Sequence, residues 1–326
     1  MPAANHEGGT SNSAYLVELG WRTDHALASL AAIAHDQVEP LRRNLAVAKA
    51  DPARLAQMGY VRLVSRFLGL APVGRLPFSP AFIAMPYAVR VHDERLLGPR
   101  SRKDLLASVW NAVVTPSVDL RRPRTELHAY VTARGVAWGC AIPEPQFQPI
   151  DQQRRPFIRS YVVPSRKARW LNDLGRVRAS ARVLDPFCGT GSILIEAARL
   201  GASVFGSDIS AETVGGALLN FAAGRLETDL RVADALDPSG WDLRFDAVVT
   251  DLPYGRTASL HGVAVDRLAT RWPGHLPSIL NDEARVVVMA PEGAVPTRTP
   301  GLKSRARLTE RVHKALSREI VVFERS

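Results

Sequence analysis

The chain has 326 residues, 46% of them hydrophobic and 23% charged, and its 42 basic and 32 acidic residues give a formal net charge of +10. That length is a soft prior for two domains, and the composition is that of a globular chain and excludes disorder. Cys140 and Cys188 are its only cysteines, which excludes a disulfide framework and a multi-cysteine zinc site. No apolar stretch approaches the ~18 residues of a membrane span. None of the eight histidines pairs with acids at metal-ligand spacing, so no metal is expected.

In chain order, Met1 to Ser13 are small and polar, with neither a basic start nor an apolar run. They read as a frayed terminus and not a signal peptide, and a reduced, cytoplasmic setting is expected. Ala14–Glu18 reads as a strand, Asp24–Ala34 as a helix, and Asp51–Leu70 as a second helical region. Tyr87–Val91 reads as a strand. Ser101–Val113 fits an amphipathic helix, with Leu105, Leu106, Val109 and Val113 on one face and Arg102, Lys103 and Asp104 near its start. Glu126–Thr132 and Val136–Ile142 read as strands around the turn at Arg134-Gly135. Residues 143–164 are rich in proline and glutamine and read as an ordered or extended linker.

From residue 165 onward, apolar strands alternate with amphipathic helices, the signature of a parallel sheet in an α/β fold. The strands are Ala181–Pro186, Ser203–Asp208, Asp229–Asp234, Phe245–Asp251 and Ala284–Ala290, with helices at Thr190–Leu200 and Ala211–Ala223. Several strands end in aspartate at the edge where such sheets bind ligands. Arg307–Leu316 and Arg318–Glu324 are joined with almost no linker, so they form an antiparallel hairpin, since a parallel crossover needs about a dozen residues.

The charge is unevenly spread. Between Arg42 and Arg159, 19 basic residues stand against 8 acidic, a net of +11. An arginine-rich genome is one reading, because only five of the 42 basic residues are lysine, but codon bias would spread evenly. The clusters Arg42-Arg43, Arg100-Ser-Arg102-Lys103, Arg121-Arg122-Pro-Arg124 and Arg154-Arg155 favour a local basic surface, with nucleic acid the first candidate partner.

Two motifs carry chemistry. Asp185-Pro-Phe187-Cys188-Gly189-Thr190-Gly191-Ser stands between a strand and a helix. Its glycines let the backbone approach a ligand, and the helix start offers free N–H donors. It is neither a P-loop nor GxGxxG. It resembles the cofactor loop of class I S-adenosylmethionine-dependent methyltransferases. Asp208, followed by Ile209, lies 23 residues after Asp185, where an acid can accept hydrogen bonds from ribose hydroxyls, or alternatively cap the next helix. Asp234, followed by Ala235, ends the third strand and is placed to meet an adenine amino group, or to serve as a turn aspartate. Cys188 is small and fits packing better than nucleophilic catalysis.

The second motif is Asp251-Leu252-Pro253-Tyr254. It resembles the Asp/Asn-Pro-Pro-Tyr motif of enzymes that methylate exocyclic amino groups of bases. Such an amine is a poor nucleophile, because its lone pair is delocalised into the ring. A carboxylate and a backbone carbonyl can accept its two N–H bonds, the proline stiffens the turn, and the tyrosine gives a face for an extruded base. Leu252 replaces the first proline of the commoner form and keeps the carbonyl acceptor.

Both motifs in this order, followed by the hairpin, resemble the THUMP-containing tRNA guanosine N2-methyltransferases. Val118-Asp-Leu-Arg-Arg-Pro-Arg-Thr-Glu-Leu-His-Ala-Tyr-Val with Trp138-Gly139 resembles the end of a THUMP domain. Arg155-Pro156-Phe157 and residues 164–169 resemble the link into the catalytic domain. The resemblance implies a ferredoxin-like region at 1–80, a THUMP-like domain at 81–142, a linker at 143–164 and a class I Rossmann-like methyltransferase domain at 165–326. It implies tRNA as substrate, guanosine 10 ahead of guanosine 6, and S-adenosylmethionine as cofactor. Asp185, Phe187, Cys188, Gly189, Thr190, Gly191, Asp208, Ile209, Asp234 and Ala235 would hold the cofactor, and Asp251 to Tyr254 the target amine. Arg102, Lys103, Arg121, Arg122, Arg124, Arg154 and Arg155 would contact RNA. A DNA amino-methyltransferase and a non-catalytic THUMP RNA-binding protein remain open alternatives, and a small activator subunit is neither indicated nor excluded.

Overall fold

The computed structural model describes residues 13–20, 22–92, 95, 97, 99–159, 162–237, 240–253, 265–313 and 316–326. The expected frayed terminus lies outside them except for Ser13. The chain divides into two compact units, Met1–Phe147 and Gln148–Ser326.

The first unit runs β1 (Tyr15–Leu19), α1 (Thr23–Ile33), β2 (Val38–Arg42), β3 (Leu45–Ala48), α2 (Pro52–Ala56), β4 (Val61–Ala71), β5 (Tyr87–His92), α3 (Pro99–Ala112), β6 (Thr125–Thr132) and β7 (Gly135–Ala141). These strands form one sheet in the order β2-β3-β1-β4-β7-β6-β5. The β-α-β-β-α-β run through β4 has the ferredoxin-like arrangement. The sequence reading set 1–80 apart from 81–142. In the sheet, however, β4 pairs antiparallel with β7 from Ser65 opposite Ala141 to Ala71 opposite Val136, so both regions share one compact unit.

The expected helix over Asp51–Leu70 is corrected. Asp51 caps a helix of five residues by accepting the Ala53 N–H, and Pro52 sits in its first turn. The chain then enters β4, an interior strand between β1 and β7. Ladder bonds on both sides override the helical spacing of its apolar residues, and the branched Val61 and Val64 suit a pleated surface. Helix α3 buries Leu105 and Val109 against Leu127, Ala129 and Trp138. Leu106, expected on that face, is exposed together with Trp110.

The second unit runs α4 (Ser165–Leu174), β8 (Arg182–Asp185), α5 (Ser192–Ala198), β9 (Ser203–Asp208), α6 (Ala211–Ala223), β10 (Asp229–Val232), β11 (Phe245–Asp251), α7 (Val265–Arg271), a 3-10 stretch (Trp272–Ile279), β12 (Leu280–Pro291), β13 (Leu302–His313) and β14 (Leu316–Arg325). The sheet order is β10-β9-β8-β11-β12-β14-β13. The first five strands are parallel, and β14 and β13 are antiparallel, as the sequence implied. The core lies beneath β8, β11 and β12, around Phe245, Trp272, Val286, Val288 and Phe323. Order along the sheet reverses between β8 and β11, which puts a ligand crevice outside their C-terminal ends.

The unit boundary falls within the segment 143–164. Phe147 is buried in the first unit, with its N–H on the Ala56 carbonyl. Phe157 belongs to the second unit, where its N–H donates to Asn220 Oδ1 at 3.0 Å. The charge balance moves accordingly. Residues 1–147 hold 17 basic and 12 acidic residues and residues 148–326 hold 25 and 20, a net of +5 in each unit.

Candidate active site

Asp185 ends β8 and Asp251 ends β11, its neighbour across the point where strand order reverses. The two are linked through one hydroxyl: Thr250, fully buried, donates from Oγ1 to Asp185 Oδ1 at 2.6 Å. Asp185 also accepts the Phe187 N–H at 3.1 Å, which bends the chain out of the strand into the loop. Burial pushes the Asp185 carboxyl up to about 7, and Asp251 and Asp208 add to the rise while the Thr250 and Phe187 hydrogen bonds oppose it.

The glycine loop is shaped by sterics. Gly189 and Gly191 have φ of +52° and +83°, a region that costs residues with a Cβ. At Gly191 a Cβ would also come within 2.9 Å of the Phe221 ring. The Cys188 N–H is held by the Ser207 carbonyl at 2.9 Å, and the Gly189 N–H donates to Asp208 Oδ2 at 3.3 Å. The acid that ends β9 therefore braces the loop that follows β8. Asp208 Oδ1 accepts the Ser210 N–H, while Ser210 itself caps α6, so the alternative of Asp208 as the cap is not what forms. Ile209 beside it is half exposed, an apolar surface next to an acid. Burial raises the Cys188 thiol well above its ordinary value, with Asp185 and Asp208 adding to the effect, so it stays protonated and packs.

Asp234 is exposed and accepts the Leu236 N–H at 2.9 Å, a turn role, yet it also lines a narrow cleft with Ala235, Pro186, Ser207, Trp272 and His275. The turn reading of Asp234 is what the hydrogen bond shows. The loop residues fit a nucleoside cofactor with an amino-acid tail: a cradle that a Cβ would fill, an acid beside it, and a cleft one strand further on lined by both polar and apolar side chains.

Asp251 receives Arg318 Nη2 at 2.7 Å on Oδ1 and 3.0 Å on Oδ2. Arg318 lies on β14 and reaches over β12, where its Nη1 contacts Met289 Sδ. Burial raises the Asp251 carboxyl to about 6, and the charges of Arg318 and then Lys167 hold it back from rising further. Leu252 is fully buried, and its N–H donates to the Met289 carbonyl at 2.8 Å. A proline there could not make that bond, so the departure from the commoner motif ties this turn to β12. Pro253 follows, and Tyr254 lies outside the described residues.

Several partners were not visible in the sequence. Arg318 lies 67 residues from Asp251, and no local pattern marks it. Asn220 had a signal: it is polar on the buried face of α6, beside Ala217 and Phe221. Its Nδ2 donates to the Thr190 carbonyl at 3.0 Å and the Phe157 carbonyl at 2.9 Å. Glu196, fully buried on α5, takes Arg169, Ser165 and Arg199 on its two oxygens. The residues predicted to contact RNA differ in exposure. Arg102, Lys103, Arg121, Arg122 and Arg124 are exposed on α3 and before β6, with the 121 and 122 N–H groups held by Asp119 Oδ1. Arg154 is exposed, but Arg155 is half-buried and bonds Ser192, the first residue of α5 after the glycine loop.

Parallel strands with two acids at the switch point and a glycine cradle between them define a class I methyltransferase-type site. The sequence of residues 153–318 matches the family described as UPF0020, the RMKL-like methyltransferase domain, and the chain belongs to that family. The tRNA (guanine(10)-N2)-dimethyltransferase of Methanothermobacter thermautotrophicus is 29% identical over 291 residues, covering 82% of this chain and 84% of that one. The enzyme of the same name from Pyrococcus abyssi is 34% identical over 216 residues, 64% of each chain. Among solved structures, TrmN from Thermus thermophilus aligns over 96% of this chain and 100% of its own, with 20% identity and a TM-score of 0.49.

Proposed function

We propose that this protein transfers a methyl group from S-adenosylmethionine to the exocyclic N2 of a guanosine in tRNA, with position 10 favoured. The observation that carries the reading is the pair of strand-end acids, Asp185 and Asp251, joined by Thr250 at the switch point. The names of the relatives supply the base and the position.

When bound, S-adenosylmethionine supplies an electrophilic methyl on a positively charged sulfur. The loop from Asp185 to Gly191 holds the amino-acid end, Asp208 and Ile209 the ribose and one face of the base, and Asp234 with Ala235 the adenine edge. Asp251 accepts one N–H of the guanine amine, and the Leu252 carbonyl accepts the other. Localising those hydrogens frees the nitrogen lone pair for in-line attack, so positioning dominates the rate. With its acid constant near pH 6, Asp251 is ionised at pH 7 and stabilises the positive charge that builds on the nitrogen. Pro253 stiffens the turn. In this reading residues 81–142 are a THUMP-like module, and Arg102, Lys103, Arg121, Arg122, Arg124 and Arg154 engage the phosphate backbone in a cytoplasmic setting.

Mass spectrometry of tRNA nucleosides from a deletion strain tests the reading. Loss of N2-methylguanosine or N2,N2-dimethylguanosine is expected, and mapping the lost mark separates position 10 from position 6. Unchanged levels of both nucleosides overturn it. Efficient competition of tRNA binding by duplex DNA would favour the DNA-modifying alternative.

A further inference from the structure

Arg155 stands in the stretch that reads as a basic linker, but its surroundings are those of a ligand site. Its Nη1 donates to Ser192 Oγ at 2.8 Å, on the first residue of α5 and directly after Gly191. Nη2 of the same guanidinium is buried without a hydrogen-bond partner among the described residues. A buried, unpaired donor on a charged group is costly, and native structures keep such groups where something else completes them.

The placement is enforced by the neighbouring chain. Two residues on, the Phe157 backbone exchanges two hydrogen bonds with the side-chain amide of Asn220, and the same amide holds the Thr190 carbonyl of the glycine loop. The Phe157 ring fills the space above Gly216, where a Cβ would come within 2.2 Å of it. Arg155 is therefore fixed against the loop by two anchors. Local charge adds a third argument. Glu196 is the buried acid nearby, and its oxygens are already taken by Arg169, Arg199 and Ser165. The guanidinium of Arg155 is left in excess beside the loop, which makes that end of the site a receptor for an anion.

We propose that Arg155 binds the α-carboxylate at the amino-acid end of S-adenosylmethionine, and so selects cofactors that retain that carboxylate. The proposal rests on the cofactor reading above and adds the group that recognises the tail. It reassigns Arg155 from RNA contact to cofactor contact.

Calorimetric titration of the full chain separates the two readings. The probes are S-adenosylhomocysteine, its decarboxylated analogue and 5′-methylthioadenosine, which share the nucleoside and differ in the tail. For Arg155→Met, S-adenosylhomocysteine affinity should fall about 10- to 100-fold, the loss typical of a charge-assisted hydrogen bond. Affinity for the other two probes should stay within twofold, and Arg155→Lys should recover part of the loss. An equal loss for all three probes, or no loss for any, overturns the proposal. If the unmodified chain binds none of the probes, the cofactor reading falls and the proposal with it. Should Arg155→Met fail to fold, the preference of the unmodified chain for S-adenosylhomocysteine over its decarboxylated analogue, set against that of Arg155→Lys, decides the question. Equal preference in both proteins overturns the proposal.

Discussion

Asp251 and Arg318 form an ion pair at the C-terminal end of β11, and in the proposed reaction their coupling sets a pH dependence. Asp251 must be ionised to accept the amine hydrogen, so activity should rise with pH through about 6, where its carboxyl titrates. Arg318 holds that value down, and Arg318→Met should therefore move the acidic limb of the pH–rate profile to higher pH, with Arg318→Lys moving it part of the way back. An unchanged limb would show that Arg318 is only structural. Asp251→Asn should abolish methyl transfer and leave S-adenosylhomocysteine and tRNA affinity within a few-fold, as titration calorimetry and filter binding would measure. Asp251 was legible in the sequence, because its motif is four consecutive residues of distinctive type. Arg318 was not, since its partnership depends on β14 lying one strand beyond β12, which is a property of sheet order.

The strand-loop-helix elements of the second unit were readable for a similar reason. They carry their own periodicity, β8, β9 and β11 end in aspartate, and β9 and α6 match the expected bounds residue for residue. Elements fixed by their neighbours were not readable. β4 is held by β1 and β7, and α4 by contacts with α5 such as Asn172 Nδ2 to the Ile193 carbonyl at 2.9 Å. Leu252 shows how an element can constrain a motif. Leu252→Pro would restore the commoner motif, yet it removes the N–H held by Met289 and a fully buried side chain. A stability loss of about 2–4 kcal/mol is expected in chemical denaturation. Equal or higher stability would mean that the β12 tie is unimportant.

At the scale of the whole molecule, each unit carries a net charge of +5. Neutralising Arg121, Arg122 and Arg124 should weaken tRNA binding and flatten its salt dependence, by about 0.7–0.9 log units of affinity per log unit of salt for each phosphate that is no longer neutralised. An unchanged slope would mean that tRNA binds elsewhere. The units should also answer acid in opposite directions. Burial, then His92, pushes His128 down to about 4, so an unfolded first unit binds a proton that the folded one refuses, and stability falls as pH drops below about 6.5. Asp185 and Asp251 are raised to about 7 and about 6, so the folded second unit binds more protons, and its stability rises as pH drops from 7 to 5. Calorimetric scans from pH 7 to 5 should show one transition falling and another rising; two transitions moving together would contradict this. The anchoring of Phe157 by Asn220 has a consequence for proteases. Arg154 and Arg159 are tryptic sites flanking that anchor, whereas the Arg155–Pro156 bond resists trypsin, and cleavage there needs the anchor to open first. A ligand that closes on the glycine loop lowers the open population in proportion to its saturation. Limited trypsinolysis should split the chain near the unit boundary, and S-adenosylhomocysteine should slow that cut on the same concentration scale as its binding.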